Sequence, residues 1–497
     1  MKKHNYKFLV LLPLFILFLN SCEDYFDQAE IPSTSFTDVW TSNNDLEKIT
    51  AASYLLMKGY NEGIVDMGIM LPTFASDEGS LTENSRFTRN IDESIHGQLH
   101  RRKSDDNSIA WLSYNWLSGY EVVRTSNTVI NYINDNDVFE DTEAHWKDRM
   151  LGENYFTRAF AFYTLIKTYA PAYNSSLSIA NDGIIVNTTN ITSALDAQSL
   201  NSVEEAYSQV VSDLENAIKY LPEVYEQGRD PEGYQDRAKK DAAHFLLARV
   251  YFQMGSMYWD KSLEQIDAIL NKNTYTLESD PATAFRQTGT GNISSETIFQ
   301  YVTTARWRRT RLFRNFAGRA GGGRIPVYKL SNYFLQYTGW DDLNEAEKDL
   351  RYTNLHTTVK GETLVGKWAE FLDHTPLMRI PELYLTRAII ALKENIGGGK
   401  TQAIADLNLI RKRAYGTNYV PLDQNTSIEE LIEITNKERA KELTFEGDRL
   451  YYMQAIGEEI GCGDRVGEAD GCSSSFVTSE FHWGIPQREK DLNNNIN

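Results

Sequence analysis

Seven arginines fall between residues 306 and 324 (Arg306, Arg308, Arg309, Arg311, Arg314, Arg319 and Arg324), with Trp307, Phe313 and Phe316 among them, in a chain that is otherwise acidic. An arginine fork satisfies carboxylate or phosphate oxygens two at a time and can hydrogen-bond sugar hydroxyls. An indole offers a flat apolar face on which a sugar ring or a side chain can rest. This pattern makes Trp307 a stacking candidate and Arg306 and Arg308 hydrogen-bonding candidates in a ligand site. The same run could instead be a basic surface that pairs with the chain's own acidic helices. Trp340, followed by Asp341 and Asp342, is a second candidate, and Asp77, in the polar run Asp77-Glu78-Gly79-Ser80, is a third.

Other chemistries are less well supported. His96 and His100 have the spacing of paired metal ligands, but Gly97 lies between them and no Glu follows the first, so a polar loop is the expectation. The glycine-rich run Gly318–Arg324 lacks the Gly-Lys-Ser/Thr of a phosphate loop, and neither Gly-x-Ser-x-Gly nor His-Glu-x-x-His occurs. No metal or cofactor is expected. Paired glycosidase carboxylates are defined by distance in space, so the sequence leaves them open. The stretch Glu438–Tyr452 crowds Glu438, Arg439, Glu442, Glu446 and Arg449 against Leu443, Phe445 and Leu450. Carboxylates one turn apart repel unless cations lie between them. We read the stretch as a structural ion-pair network rather than a catalytic pair, because no His, Cys or Ser nucleophile accompanies it. Gly447 marks a bend or a close approach.

Helices in pairs must position these residues. Apolar residues recur at helical spacing over 45–60, 111–134, 153–169, 203–221, 239–254, 256–270, 381–395, 401–414 and 428–452. Ser202 can cap the fourth of these and Pro222 end it, and Pro381 suits a helix start. Trp116 shares a stripe with Tyr120 and Val123 and is expected in the core. Alanines at contact points give the pairs a tetratricopeptide-like character, with degenerate repeats. The expected fold is mainly α, a scaffold of such pairs with a loop-rich insert containing short strands. Residues 67–102 read as an irregular loop, and 296–303 as a strand within the 273–375 insert.

The 497 residues carry 69 acidic against 50 basic side chains, a net charge of −19, which argues against nucleic acid as a partner. Lys2, Lys3 and Lys7 precede the twelve-residue apolar run Phe8–Leu19, which is short for a membrane span and right for a signal peptide. Leu19-Asn20-Ser21-Cys22 looks like a lipobox, making Cys22 the lipidated first residue of the mature chain, although an ordinary secretory signal would leave Cys22 incidental. Acyl chains there would be the membrane attachment. Cys462 and Cys472 bracket a Gly- and Asp-rich segment. In an oxidising compartment a disulfide between them is expected, and two cysteines without a nearby His make a poor metal site. The expected organisation is a signal peptide over 1–21, a lipidated tether over 22–44 and one domain over 45–497. Within that domain the scaffold spans 45–272 and 376–455, the insert 273–375 and a C-terminal loop region 456–497.

Several stretches resemble the SusD/RagB family of Bacteroidetes outer-membrane lipoproteins. Glu438-Arg439 through Phe445-Glu446-Gly447-Asp448-Arg449 is similar to its ER-x-x-EL-x-FEG-x-R signature. Trp116, Tyr120 and Asn127 resemble its early helix, and Glu23 and Asp24 its acidic surface-export signal. Arg379-Ile-Pro-Glu-Leu-Tyr384 with Arg387-Ala388 resembles its R-x-PE-x-YL-x-x-AE segment, with Ile389 where Glu is frequent. Trp483–Glu489 with Asp491-Leu492-Asn493 resembles its C-terminal ending, with Gly484 and Asn494 in place of prolines. The resemblance implies a non-enzymatic lipoprotein, exposed on the outer leaflet, that captures oligosaccharides or, in some branches, peptides. It would act as the lid of a SusC-like TonB-dependent transporter, opening, taking ligand and closing over the barrel. The shared motifs are structural, so no ligand contact carries over by position. The alternatives are a peptide ligand, a lipid-anchored glycoside hydrolase using carboxylates of the insert, and a purely structural scaffold.

Overall fold

The helix at Val203–Tyr220 shows how local chemistry sets the frame. Ser202 Oγ accepts the Glu205 N–H at 3.1 Å, while the Glu205 carboxylate accepts the Ser202 N–H at 2.9 Å, a reciprocal capping box. Its apolar stripe (Ala206, Tyr207, Val210, Leu214, Ala217) is buried. The computed structural model describes residues 43–496 apart from 59–62, 83–93, 104–108, 137–143, 174–182, 191–197, 227–229, 231–236, 290, 303–310, 318–325, 370–372, 468–470 and 473–475. Residues 47–497 form one compact unit; of the other, 1–46, only the start of the first helix is described.

The longer helices are α1 (Asn43–Lys58), α2 (Ile64–Ala75), α3 (Ala110–Asp135), α4 (Ala144–Tyr169), α5 (Val203–Tyr220), α6 (Lys240–Gln253) and α7 (Trp259–Leu270), then α8 (Ile380–Glu394), α9 (Gly399–Tyr415), α10 (Ile428–Glu442) and α11 (Arg449–Ile456). Packing follows chain order: α3 on α4, α4 on α5, α6 on α7 and α8 on α9. The fold is mainly α, built from tetratricopeptide-like helix pairs, and Pro381 lies in the first turn of α8. Between α4 and α5, the buried Arg158 reaches both Asp213 carboxylate oxygens at 2.6 and 2.8 Å and Asn127 Oδ1 at 2.8 Å. Asn127 in turn donates to the Asn187 and Thr189 carbonyls, and Tyr120 Oη to that of Ile185. Trp116 is core, packed on Tyr120 and Tyr169. Tyr120 and Asn127 therefore tie the 185–189 segment to the frame, with Trp116 packed behind Tyr120.

The structure corrects the sequence reading of 67–102. Helix α2 occupies 64–75, with every residue but Gly68 buried and Pro72 inside it. A helix buried all round carries no amphipathic stripe, so periodicity missed it. A six-residue helix at Ile95–His100 follows, capped by Ser94.

Strands β1 (Gly79–Leu81), β2 (Thr297–Tyr301), β3 (Tyr328–Leu330), β4 (His356–Val359), β5 (Glu362–Val365) and β6 (Thr375–Arg379) pair antiparallel as β1–β3, β2–β6 and β4–β5. The expected strand at 296–303 is β2, closed by β6 at the far end of the insert. Short helices at 332–338, 343–346 and 350–355 make the insert more ordered than a loop region.

Candidate functional site

The 438–452 stretch is two helices, not one. Between α10 and α11 the chain turns with Phe445 at φ 60° and Gly447 at φ 76°. A Cβ on Gly447 would sit 2.8 Å from the Gly68 carbonyl oxygen, so the turn needs glycine for both its backbone angle and its contact with α2. Around this turn the charges pair internally. Arg379 donates to Glu296 at 2.7 Å, to Glu442 at 3.2 Å and to Glu446 at 2.6 Å. Arg351 reaches Asp349 and Glu438 at 2.8 and 2.7 Å, and Arg413 contacts Glu442 at 2.7 Å. Lys367 donates to Glu446 at 2.6 Å and to the Glu442 carbonyl at 3.0 Å. Burial works against the Glu442 charge, yet Arg413, Arg379 and Arg351 hold its carboxyl well below the usual carboxylate range. Cations and carboxylates pair mainly with one another here, although Arg413 Nε and Nη2 and Glu442 Oε2 are buried without a hydrogen bond among the described residues, and the arrangement is structural.

Asp77 belongs to the same frame. Fully buried, it accepts both fork hydrogens of Arg449 at 2.9 Å. Burial pushes its carboxyl up, but Arg449 more than offsets this and brings it below the usual range. Trp340 is 2% exposed, donates through Nε1 to Asp349 at 3.3 Å, and packs on Phe334, Tyr352 and His356. Ligand roles for Asp77 and Trp340 are therefore corrected: both are spent on internal partners. His96 and His100 also part company, His96 bonding Asn315 at 2.9 Å and His100 the Tyr328 hydroxyl at 2.8 Å. Burial lowers both imidazoles. Among the described residues no group of three His, Cys, Asp or Glu side chains could hold a metal.

Arg306, Trp307 and Arg308 lie outside the described residues, as does Cys22. The chain re-enters at the short helix Arg311–Asn315. The Arg311 N–H donates to Asp66 Oδ2 of α2 at 2.7 Å, and its guanidinium lies 5.7 Å from the Trp111 ring. Trp111 is edge-on to His96 at 5.0 Å and to Phe74 at 6.2 Å. His96 and Arg311, both partly exposed, thus form a platform beside the aromatic cluster of Phe74, Trp111 and Phe316. Burial raises the Asp66 carboxyl to about 6. Sequence inspection passed over Trp111 because nothing local joins residues 66, 96, 111 and 311; the fold alone assembles them.

Beside this platform a disulfide joins Cys462 to Cys472. Two buried arginines hold its loop: Arg465 donates to the Phe74, Ser76 and His100 carbonyls, and Arg102 to those of Ala75 and Gly461. Chain-entropy arguments for so short a loop give about 3 kcal/mol. Replacing both cysteines by serine is expected to lower unfolding free energy by up to about that amount, read by urea denaturation. An unchanged midpoint would show that the arginines suffice.

Two family sequence profiles match the chain: one described as "Starch-binding associating with outer membrane" over residues 41–252, the other as the SusD family over 282–453. SusD-like protein P2 of Formosa agariphila is 24% identical over 413 residues, 72% of this chain and 74% of that one. The crystal structure of a SusD superfamily protein from Bacteroides fragilis superposes with a TM-score of 0.75 at 21% identity, covering 93% of this chain and 100% of that one. A SusD-like carbohydrate binding protein from Bacteroides vulgatus gives 0.71 at 19%, covering 92% and 98%. The Arg379, Glu442 and Arg449 pairings give structural roles to residues in the stretches that resemble the family's motifs. With two profiles spanning most of the folded chain and the architecture matched end to end, this protein belongs to the SusD/RagB family.

Proposed function

We propose that this chain is a non-enzymatic, lipid-anchored surface protein that binds an oligosaccharide and delivers it, as a lid, to a SusC-like TonB-dependent transporter. Membership of a family described as starch-binding and outer-membrane-associated carries this reading. Lipidation at Cys22 would supply the anchor, and the leader before it the export signal. The ligand face is assigned to the Arg306–Arg308 run together with the His96–Arg311 platform, beside which that run re-enters the fold. Arginine abundance there favours a glycan bearing carboxylates, such as one containing uronic acids.

Trp307→Ala is expected to weaken glycan binding roughly ten- to hundredfold, the range of a lost aromatic anchor. Trp340→Phe, at a buried indole, should leave affinity unchanged. Titration of a uronic-acid oligosaccharide against both variants checks this, and affinity should fall with added salt. Equal affinity in wild type and Trp307→Ala would remove the assignment. A pull-down of the lipidated protein from outer membranes should bring a large β-barrel in near-equal amount. Preferential capture of peptides would move the ligand class, and release of shorter sugars from a bound oligosaccharide would favour a hydrolase.

A further inference from the structure

A partly open pocket of about 100 Å³ lies among the helices, lined by α2, α4, α6, α7, α8, α11, strand β6 and the turn between α10 and α11. Liquid water occupies about 30 Å³ per molecule, so this space suits three waters or one compact ion. Its walls are aromatic and charged, and the charges are unevenly matched. Arg249 pairs with Glu382 through Nε at 2.6 Å and Nη2 at 2.5 Å. Arg439 pairs with Asp448 at 2.8 and 2.7 Å, and Glu446 is taken by Lys367 and Arg379. Lys167 is left over. Partly exposed, its Nζ lies 4.5 Å from the Tyr163 ring centroid and 4.4 Å from that of Tyr451; Glu382 and Asp448 act on it from a distance, but among the described residues it makes no ion pair within 4 Å and no hydrogen bond. Arg249 also has an unspent edge: Nε and Nη2 carry its bonds to Glu382 and to the Leu377 carbonyl, and Nη1 none.

We propose that this cavity binds a compact monovalent anion, a halide or a one-carbon carboxylate, between the Lys167 ammonium and the Nη1 edge of Arg249. A cation held over ring faces has its position fixed but its hydrogens unused, and in a confined space each is worth more once an acceptor arrives. Burial, and then the Arg249 charge, draw the Lys167 amine down to about 7, with the Glu382 and Asp448 carboxylates offsetting only part of this. An anion would add to that counter-charge and link α4 to α6.

The test uses the folded chain with bromide and formate as probes and gluconate, too large for the cavity, at matched ionic strength. Bromide soaked into crystals is expected to give an anomalous peak within hydrogen-bonding distance of Lys167 Nζ. Formate and bromide should raise the thermal midpoint saturably where gluconate does not, and Lys167→Met should weaken that response at least tenfold. A map without the peak overturns the proposal, as does a midpoint shift equal for all three salts. A peak without saturable stabilisation marks an adventitious ion and also overturns it. Should Lys167→Met fail to fold, the wild-type map and salt series decide by themselves.

Discussion

Arg379→Met is expected to destabilise the protein by about 3–5 kcal/mol, the range for breaking a buried ion pair from one side. Methionine replaces much of the aliphatic stem, so the loss is electrostatic rather than a large cavity. Arg379 is 2% exposed and donates to three carboxylates, Glu296, Glu442 and Glu446, that are themselves mostly buried. Without it, Arg413 and Lys367 are the near cations left to Glu296, Glu442 and Glu446, since Arg351 is already engaged by Asp349 and Glu438 and lies 3.7 Å from Glu442. Repulsion between Glu442 and Glu446, both of which Arg379 contacts, then loses the guanidinium that separates them. Lys437→Ala, at a pair whose partners are 40% and 64% exposed, should cost no more than about 0.5 kcal/mol. Adding Glu446→Gln to Arg379→Met should recover part of the loss, since the two sites are coupled. Urea unfolding of the four proteins checks this, and an Arg379→Met protein within 1 kcal/mol of wild type would make the hub dispensable.

Much of this frame was legible from the chain because its signals are local. The capping box at Ser202, the stripe of α5 and the crowding of charges in 438–449 each announce themselves within a dozen residues. What escaped depends on partners that arrive from afar. Asp77 looked like an exposed loop carboxylate because Arg449, 372 positions away, is what buries it. Trp340 is a nearer case: the Asp349 that takes its N–H is only nine residues on, but the short helices of the insert bring it back and no periodicity announces that turn. Helix α2 hid for the opposite reason: apolar on every side, it has no face for a periodicity to reveal. The signature residues are thus the readable ones because they build the scaffold, whereas the ligand platform joins positions that share no pattern.

Glu78→Gln is expected to change how stability depends on pH. Glu78 is 1% exposed, next to Asp77, and accepts the Phe445 N–H at 3.0 Å and the Ser76 hydroxyl at 3.1 Å. Burial drives its carboxyl up to about 8, with the Asp77 charge adding to this, against the Phe445 hydrogen bond. A carboxyl raised in the fold keeps its proton where the unfolded chain has lost it. Its stabilising contribution is complete below the unfolded value near 4.5 and is lost as pH rises toward about 8. Other groups slope the opposite way. His96, His100 and His356, wholly or partly buried, are lowered, so stability gained from them grows with pH and levels off above about 6.5. Lys167, lowered to about 7, adds a rising contribution above that. The wild-type curve mixes these terms, so the informative quantity is wild type minus variant. Glutamine holds the same shape without titrating, and between pH 5 and 8 the variant should gain on wild type by up to about 1.4 kcal/mol per pH unit. Parallel stability curves for the two proteins across that window would mean that Glu78 is ionised in the fold, and the turn that carries Phe445 would then hold a buried anion beside Asp77.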